Sequence, residues 1–521
     1  MLALSPSTLS RLAGPLHDDP GHPDVQALRG TPAVARALDL LAAATQASLF
    51  EGDVAPRQSA LRDLRRQADP LAAGLLKGSE AGGPASGRVR AWELRLAQQL
   101  LLAVHAGFKA VAVDASASQG FFSRQRPAID ALADAMHSAW TLAALHARSY
   151  TAVPAGFWTD CHRMHGYAVE RGWEGKASSA EGVHSVARAY GRLMLWGMTG
   201  SNRYEADHME MLLELIDACA DALEVSRYDR GRDLPGAFLW QELRDAPPLF
   251  VAPLPPAGGE PPWWRADLGA VLGLLQRRIA EQHDAAVPSP RKLLLYQRLA
   301  QEWSRPLQRR HARRRRMGDE AVEVVGTLPA CWRAVDRESG APEGWDAPFT
   351  EGAEGVLDSA FAPLAGAPGA DGEAGPQEAA WLSVSNISHS GLLVQGDAGG
   401  QSFAAGELVV YRRPGKPWRA GLIRWLNFRV ENLVTQCGIE YVGGGLEAVV
   451  IAPVTARRTH AYAPGLRIEG QGRIVVAGRY FQPFREFLVQ DAGGLQRVKA
   501  VRLVMQSARC QVIEVQPSAG T

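Results

Sequence analysis

Through the first 300 residues, apolar side chains recur at three- and four-residue steps. One set is Trp92, Leu94, Leu96, Leu100, Leu101 and Val104; a second is Ile129, Leu132, Met136, Trp140 and Leu145. Two more are Val186, Tyr190, Leu193, Leu195 and Trp196, then Met209, Leu212, Leu213, Leu215 and Ile216. That spacing predicts amphipathic helices packed on one another. Breakers fall between the sets at Gly120, Pro127, Pro154, Gly172 and Gly200-Ser201-Asn202, so antiparallel helical hairpins are expected. No repeated motif marks a solenoid.

From Leu234 to Pro262 the chain carries eight prolines and reads as an extended connector over the helical domain. Helical spacing returns at Leu268, Val271, Leu272, Leu275 and Ile279, and again from Arg291 through Leu299. After residue 316 the pattern changes to β. Strand-like runs occupy 321–326, 391–394, 407–411, 420–426 and 436–442, separated by glycine-rich turns, which predicts a small antiparallel barrel. Between Glu338 and Glu378 stand nine acidic residues and no Lys or Arg, read as a disordered acidic loop between two strands. Further strand runs at 473–476 and 501–505 predict a small C-terminal β module.

The expected fold is therefore α+β and multidomain. A variable, partly helical segment spans 1–90 and an α-helical domain 91–304, with the connector at 234–262. A β-barrel follows at 305–456, and a β module at 457–521.

Composition narrows the function classes. Lys+Arg number 56 and Asp+Glu 55, a net charge of +1, so a chain coated in nucleic acid is not expected and any anion site must be local. Five widely spaced cysteines without a CxxC motif read as buried thiols in a reducing compartment. The opening residues lack the pattern of a signal peptide, and no transmembrane run of about 18 apolar residues is evident. A cytoplasmic location is the expectation.

Two motifs carry chemistry. The first is the run Arg309-Arg310-His311-Ala312-Arg313-Arg314-Arg315-Arg316 ahead of the first barrel strand. The second is Asn386-Ile387-Ser388-His389-Ser390-Gly391, leading into a strand. Taken singly, a basic run is most often a solvated linker and Asn-x-Ser-x-x-Gly a turn entering a strand. In this order the pair resembles the PilZ domain, a bacterial receptor module for cyclic di-GMP. Its RxxxR pattern is met twice, by Arg309/Arg313 and Arg310/Arg314, and its [D/N]xSxxG pattern by Asn386, Ser388 and Gly391. The strands around Gly421–Trp425 and Gly438–Val442 are similar to the later strands of that family. The resemblance covers about 305–456 and leaves out the helical part.

It implies a nonenzymatic receptor that holds the dinucleotide with Arg309, Arg310, Arg313, Arg314, Asn386, Ser388 and Gly391. The helical domain would pass the signal to a protein partner. Cyclic di-GMP offers two phosphates and two guanines. Arginine's planar fork suits phosphate or the guanine O6/N7 edge, and its face suits stacking. Asn386 adds a donor and acceptors, Ser388 a hydroxyl. Gly391 allows close backbone approach. The acidic loop is expected to compete with the ligand for the arginines. The alternatives are a scaffold with a degenerate barrel, a metal-dependent enzyme in the helical part, and a nucleic-acid binder using the arginine run.

No cofactor, metal or catalytic residue is expected. Cys161 and His165 stand at a metal-ligand spacing without an acidic partner pattern. His137, His146, His162, His184 and His208 read as helix-surface or satisfied core groups, and Trp140, Trp158, Trp173 and Trp196 as core. His283-Asp284 echoes the HD pair of metal-dependent phosphohydrolases without its companions, and there is no Walker A or GxSxG motif.

Overall fold

The computed structural model describes residues 2, 4, 31–49, 52–80, 87–117, 125–180, 182–229, 236–255, 263–304, 315–316, 320–339, 379–398, 403–430, 432–454, 462–491, 493–507 and 509–518. The chain forms two compact units. The first draws on residues up to 310, and the second chiefly on 311–521.

Among the described residues the first unit holds nine α-helices: α1 Pro32–Leu49, α2 Val54–Glu80, α3 Gly87–Ala117, α4 Arg126–Arg148, α5 Phe157–Glu170, α6 Val186–Gly197, α7 Ala206–Cys219, α8 Gly269–Asp284 and α9 Pro290–Ser304. Helix α4 starts with proline in its first turn, where the missing N–H has no helical partner to lose. Helix α6 is capped by Ser185, whose hydroxyl accepts the Arg188 N–H at 3.2 Å. The core of this unit includes Leu96, Leu100, Phe108, Leu132, Met136, Tyr190 and Leu193, all at most 1% exposed. Within α3, Ala91–Ala117 is long and apolar enough to cross a membrane by composition, and most of it is buried in the structure.

Polar groups also enter this interior. Asp134 of α4 is fully buried and accepts from Gln58 Nε2 and Arg62 Nε, both at 2.8 Å, and from Arg65 Nη1 at 3.2 Å. Helix α2 is thereby fastened to α4 by a shared, fully hydrogen-bonded carboxylate.

The proline-rich stretch is a correction to the expected connector. It contributes β2 Ala237–Gln241 and β3 Leu249–Val251, which join β1 Glu224–Arg227 and β4 Trp263–Asp267 in an antiparallel sheet of order β1-β4-β2-β3. The helical part therefore carries a sheet and is not all-α. Pro247, Pro248 and Pro253 fall between strands, where no ladder N–H is needed. The loop after β2 also caps a helix: the Asp245 carboxylate accepts the N–H groups of Gly156 at 2.6 Å and Trp158 at 3.0 Å at the start of α5.

The second unit holds two closed, six-stranded antiparallel barrels. The first runs β6 Ala321–Gly326, β7 Ala380–Ser388, β8 Gly391–Asp397, β9 Leu408–Arg412, β10 Arg419–Arg429 and β11 Val434–Gly444. Its order is β7-β6-β9-β10-β11-β8, and the β7–β8 pairing closes it. A two-residue strand, β5 Arg315–Arg316, pairs with the C-terminal part of β7, beyond the stretch that pairs with β6. The second barrel runs β12 Leu446–Pro453, β13 Ala463–Ile468, β14 Arg473–Ala477, β17 Cys510–Pro517, β16 Gly494–Gln506 and β15 Glu486–Asp491 in that spatial order. Strand β12 follows β11 almost directly and pairs with β13 and β15, so it belongs to the second barrel.

Helix α10, Leu328–Ser339, lies between the barrels. Thr327 caps it, its hydroxyl accepting the Ala330 N–H at 3.4 Å. Its buried side chains Leu328, Cys331, Trp332 and Val335 share one apolar cluster with Leu408 and Val410 of the first barrel and Val450, Leu466 and Val512 of the second. The Trp332 indole N–H donates to the Val449 carbonyl at 2.9 Å. The acidic residues expected to form a loop from 338 to 378 lie outside the described residues beyond Ser339.

Candidate functional site

Arg309, Arg310, Arg313 and Arg314 lie outside the described residues. The run's last two members are described in their backbone, and that backbone is strand β5. Arg315 pairs with Ile387 and Arg316 with Asn386, antiparallel. The last two arginines of the run and the Asn-x-Ser-x-x-Gly motif, about 70 positions apart in sequence, thus meet on one strand pair.

Alternation along the strands fixes which face the motif occupies. Leu382 and Val384 of β7, Leu392 and Val394 of β8, and Cys437 and Ile439 of β11 are buried inside the first barrel. Ser385 is an extra residue in the β7–β8 ladder, because Val384 opposes Val394 and Asn386 already opposes Leu393. This bulge sets Asn386 and Ser388 on the outer face, both half-buried. The Ser388 hydroxyl donates to the Gly391 carbonyl at 3.2 Å and lies 3.2 Å from the Ser390 hydroxyl, closing the His389-Ser390 turn.

Gly391 is required by the barrel itself. A Cβ there would sit 2.1 Å from the Ile439 carbonyl oxygen on β11. The close approach that needs a glycine is thus made by a neighbouring strand. Beside it, Glu440 opposes Gly391 and forms an ion pair with Arg424, the extra residue of a bulge in β10. The motif's surroundings therefore include an arginine, a glutamate and, on the same ladder, Trp425. Sequence reasoning placed Arg424 and Trp425 on a strand without giving them a part in the site, because a bulge leaves no mark on an apolar pattern.

Of the other candidate groups, Cys161, His146, His162, His165, Trp158, Trp173 and Trp196 are buried, His137, Trp140 and His208 half-buried, and His184 exposed. Cys161 and His165 lie in the interior of α5, and no group of three metal-ligating side chains assembles among the described residues. Burial pushes the Cys161 thiol well above its ordinary range, so it is held as a thiol. His162 shows why these rings are neutral. Its Nε2 lies 3.0 Å from the Ala246 carbonyl, which only accepts, so Nε2 carries the proton. Its Nδ1, 2.8 Å from the Tyr190 hydroxyl, then accepts. His165 stacks on Tyr190 with ring centroids 3.9 Å apart. Trp158, Trp173 and Trp196 are buried, and Trp158 stacks on Trp196. His283 and Asp284 are exposed at the end of α8.

No curated protein and no solved structure matches this chain. The family match falls on the helical part, which the two barrel motifs do not touch: residues 25–230 are similar to the family described as "Cyclic-di-GMP receptor FimW, N-terminal domain".

Proposed function

We propose that the chain is a nonenzymatic receptor for cyclic di-GMP, with its ligand site on the outer face of the first barrel, where β5 meets β7. The observation that carries this reading is the register that sets Arg316 opposite Asn386. It puts the end of a run containing six arginines against a strand whose outer face offers an amide and a hydroxyl. The similarity of 25–230 to a cyclic di-GMP receptor family supports the same ligand from a different part of the chain.

The chemistry is complementary. Two phosphates call for charge-assisted, forked donors, which Arg309, Arg310, Arg313 and Arg314 supply. A guanine edge calls for paired donors and acceptors, which arginine and Asn386 supply. Ser388 adds a hydroxyl at the end of the same strand. In sequence the run follows α9 and ends in β5, so a ligand that holds it acts on the link between the helical unit and the barrels. The helical unit is then the output, presenting a surface to a protein partner.

Calorimetric titration of cyclic di-GMP into the full chain tests the reading, beside an Arg310→Ala/Arg314→Ala variant. Micromolar or tighter binding that the variant loses is expected. Absence of heat from the folded wild-type chain would reduce the barrel to a scaffold.

A further inference from the structure

Charge is spread unevenly along the chain. Residues 446–521 carry ten Lys and Arg against five Asp and Glu, a net charge of +5, which leaves −4 for the rest, 46 against 50. The near-neutral whole conceals a basic second barrel. A basic excess confined to one domain is the footprint of a polyanionic partner.

The ladders place much of this charge. Phe487, Val489, Val498, Ala500 and Ile513 fill the barrel, so the residues of β16 that alternate with Val498 and Ala500 face outward. These are the exposed Leu495, Arg497 and Lys499. Val501, also exposed, bulges from the β16–β17 ladder, and Arg502 beyond it opposes Glu514. Apolar and basic side chains share a stripe about 23 Å long. Its two carboxylates are already engaged. Glu514 binds Arg502 at 2.7 Å, and Glu486, opposite Lys499, accepts from Ser518 Oγ at 2.7 Å and lies 3.6 Å from Arg497. Among the described residues Lys499 forms no ion pair; its ammonium lies 5.5 Å from the centroid of the Phe484 ring.

Phe484 is 68% exposed and its backbone is left-handed, with φ 67°. Both conditions are unfavourable for a bulky apolar side chain, and strain of this kind gathers at functional sites. The loop is nevertheless held in place. The Phe484 N–H donates to the Ala500 carbonyl at 2.9 Å, and the Ala500 N–H to the Arg485 carbonyl at 2.8 Å. A flat apolar ring is thus presented on a fixed backbone beside a row of cations. That combination suits a single-stranded nucleic acid, whose bases stack while its phosphates follow a basic track. A membrane surface would favour apolar groups gathered at one end. Phe484 precedes β15 and Leu495 follows the turn after it, so the two stand at opposite ends of the hairpin.

We propose that the outer face of β16 binds single-stranded nucleic acid, a base stacking on Phe484 while Arg497, Lys499 and Arg502 take phosphates. The site lies on the second barrel and does not depend on the receptor reading.

Fluorescence anisotropy of labelled oligo(dT) and oligo(rU), each about 12 nucleotides long, with the full chain tests the proposal and separates DNA from RNA. At least one is expected to bind, and more tightly than a duplex of equal length. Phe484→Ala leaves a Cβ on the same backbone and removes the stacking face. It should weaken binding between about 5-fold and about 100-fold, the range of one lost base stack, and Phe484→Tyr should restore most of it. Lys499→Gln should flatten the slope of log affinity against log salt by about 0.7, the share of one phosphate contact. Wild-type affinity in Phe484→Ala, an unchanged salt slope in Lys499→Gln, or tighter binding of the duplex overturns the proposal. So does a folded wild-type chain that binds neither oligonucleotide, including one that binds anionic phospholipid vesicles through Phe484.

Discussion

The Arg509 guanidinium donates to the Glu407 carboxylate at 3.3 Å, and in doing so it joins the two barrels. Glu407 stands just before β9 in the first barrel and Arg509 just before β17 in the second. Glu407 is 1% exposed and also accepts the Ala404 N–H at 2.9 Å. A carboxylate so placed gives up its water and keeps two described donors in return.

Burial outweighs the attraction of Arg509 and raises the Glu407 carboxyl from 4.5 to about 7. Between those values the folded chain binds a proton that the unfolded chain does not. This group's contribution is therefore fully present below pH 4.5, falls as pH rises, and is gone above about 7. The change amounts to about 3 kcal/mol. Glu407→Gln, which mimics the protonated form, should remove this pH dependence. Hydrogen-exchange protection of β9 and β17 amides, corrected for intrinsic rates, should drop between pH 5 and pH 8 in the wild type more than in the variant. Equal drops would contradict the assignment.

The helical unit should respond in the opposite sense. Burial lowers His105 and His165 from 6.5 to about 3, and His146 and His162 to about 4. Below pH 6.5 the unfolded chain takes up protons that the folded chain refuses, so stability falls as the solution is acidified. At pH 5 each ring costs about 2 kcal/mol and the four together about 8 kcal/mol, comparable with the whole stability of a typical domain. The far-UV helical signal should collapse on acidification while β-strand amides of the barrels remain protected. A helical signal unchanged at pH 4.5 would show that these rings are solvated.

Gly391 and Asn386 should fail differently when changed. Gly391→Ala forces a Cβ against the Ile439 carbonyl, so it should destabilise the barrel without ligand by about 1–3 kcal/mol. Asn386→Ala removes a half-buried amide from the outer face, so it should leave the ligand-free melting temperature nearly unchanged and weaken cyclic di-GMP binding. Melting curves with and without the ligand separate the two. A Gly391→Ala barrel as stable as the wild type would mean that the strands can part to admit a methyl group.

Much of this architecture is legible in the sequence because apolar periodicity reports burial directly. The runs at 407–411, 420–426 and 436–442 fall on β9, β10 and β11. Helix α10 was equally readable, since Leu328, Cys331, Trp332 and Val335 follow the i, i+3, i+4, i+7 pattern, but a β context on both sides masks one short helix. Strands β2 and β3 were not legible, because prolines dominate the local composition although Pro247, Pro248 and Pro253 fall between strands. Strand β12 continues β11 after a single glycine, and only pairing partners assign it to the second barrel. At the site, residue types reveal Asn386 and Ser388. The Ser385 bulge that turns them outward, and the ladder that lines Trp425 up with them, exist only in the register.

The pair formed by Lys109 of α3 and Asp160 of α5 permits a sharper test of the helical unit. Lys109 Nζ lies 2.5 Å from Asp160 Oδ2, and both side chains are nearly buried. Two charges removed from water at that separation roughly balance desolvation against attraction, so the pair as a whole adds little net stability. Loss of one partner is different, since it strands the other in the interior. Asp160→Ala should destabilise the helical unit by about 3–5 kcal/mol, and Lys109→Met by a similar amount. The double variant Lys109→Met/Asp160→Leu, which replaces both charges by apolar side chains, should recover much of the loss. Urea unfolding followed by the helical signal closes the double-mutant cycle. Additive losses would mean that each side chain is satisfied by other groups, and that the contact between them does not hold α3 to α5.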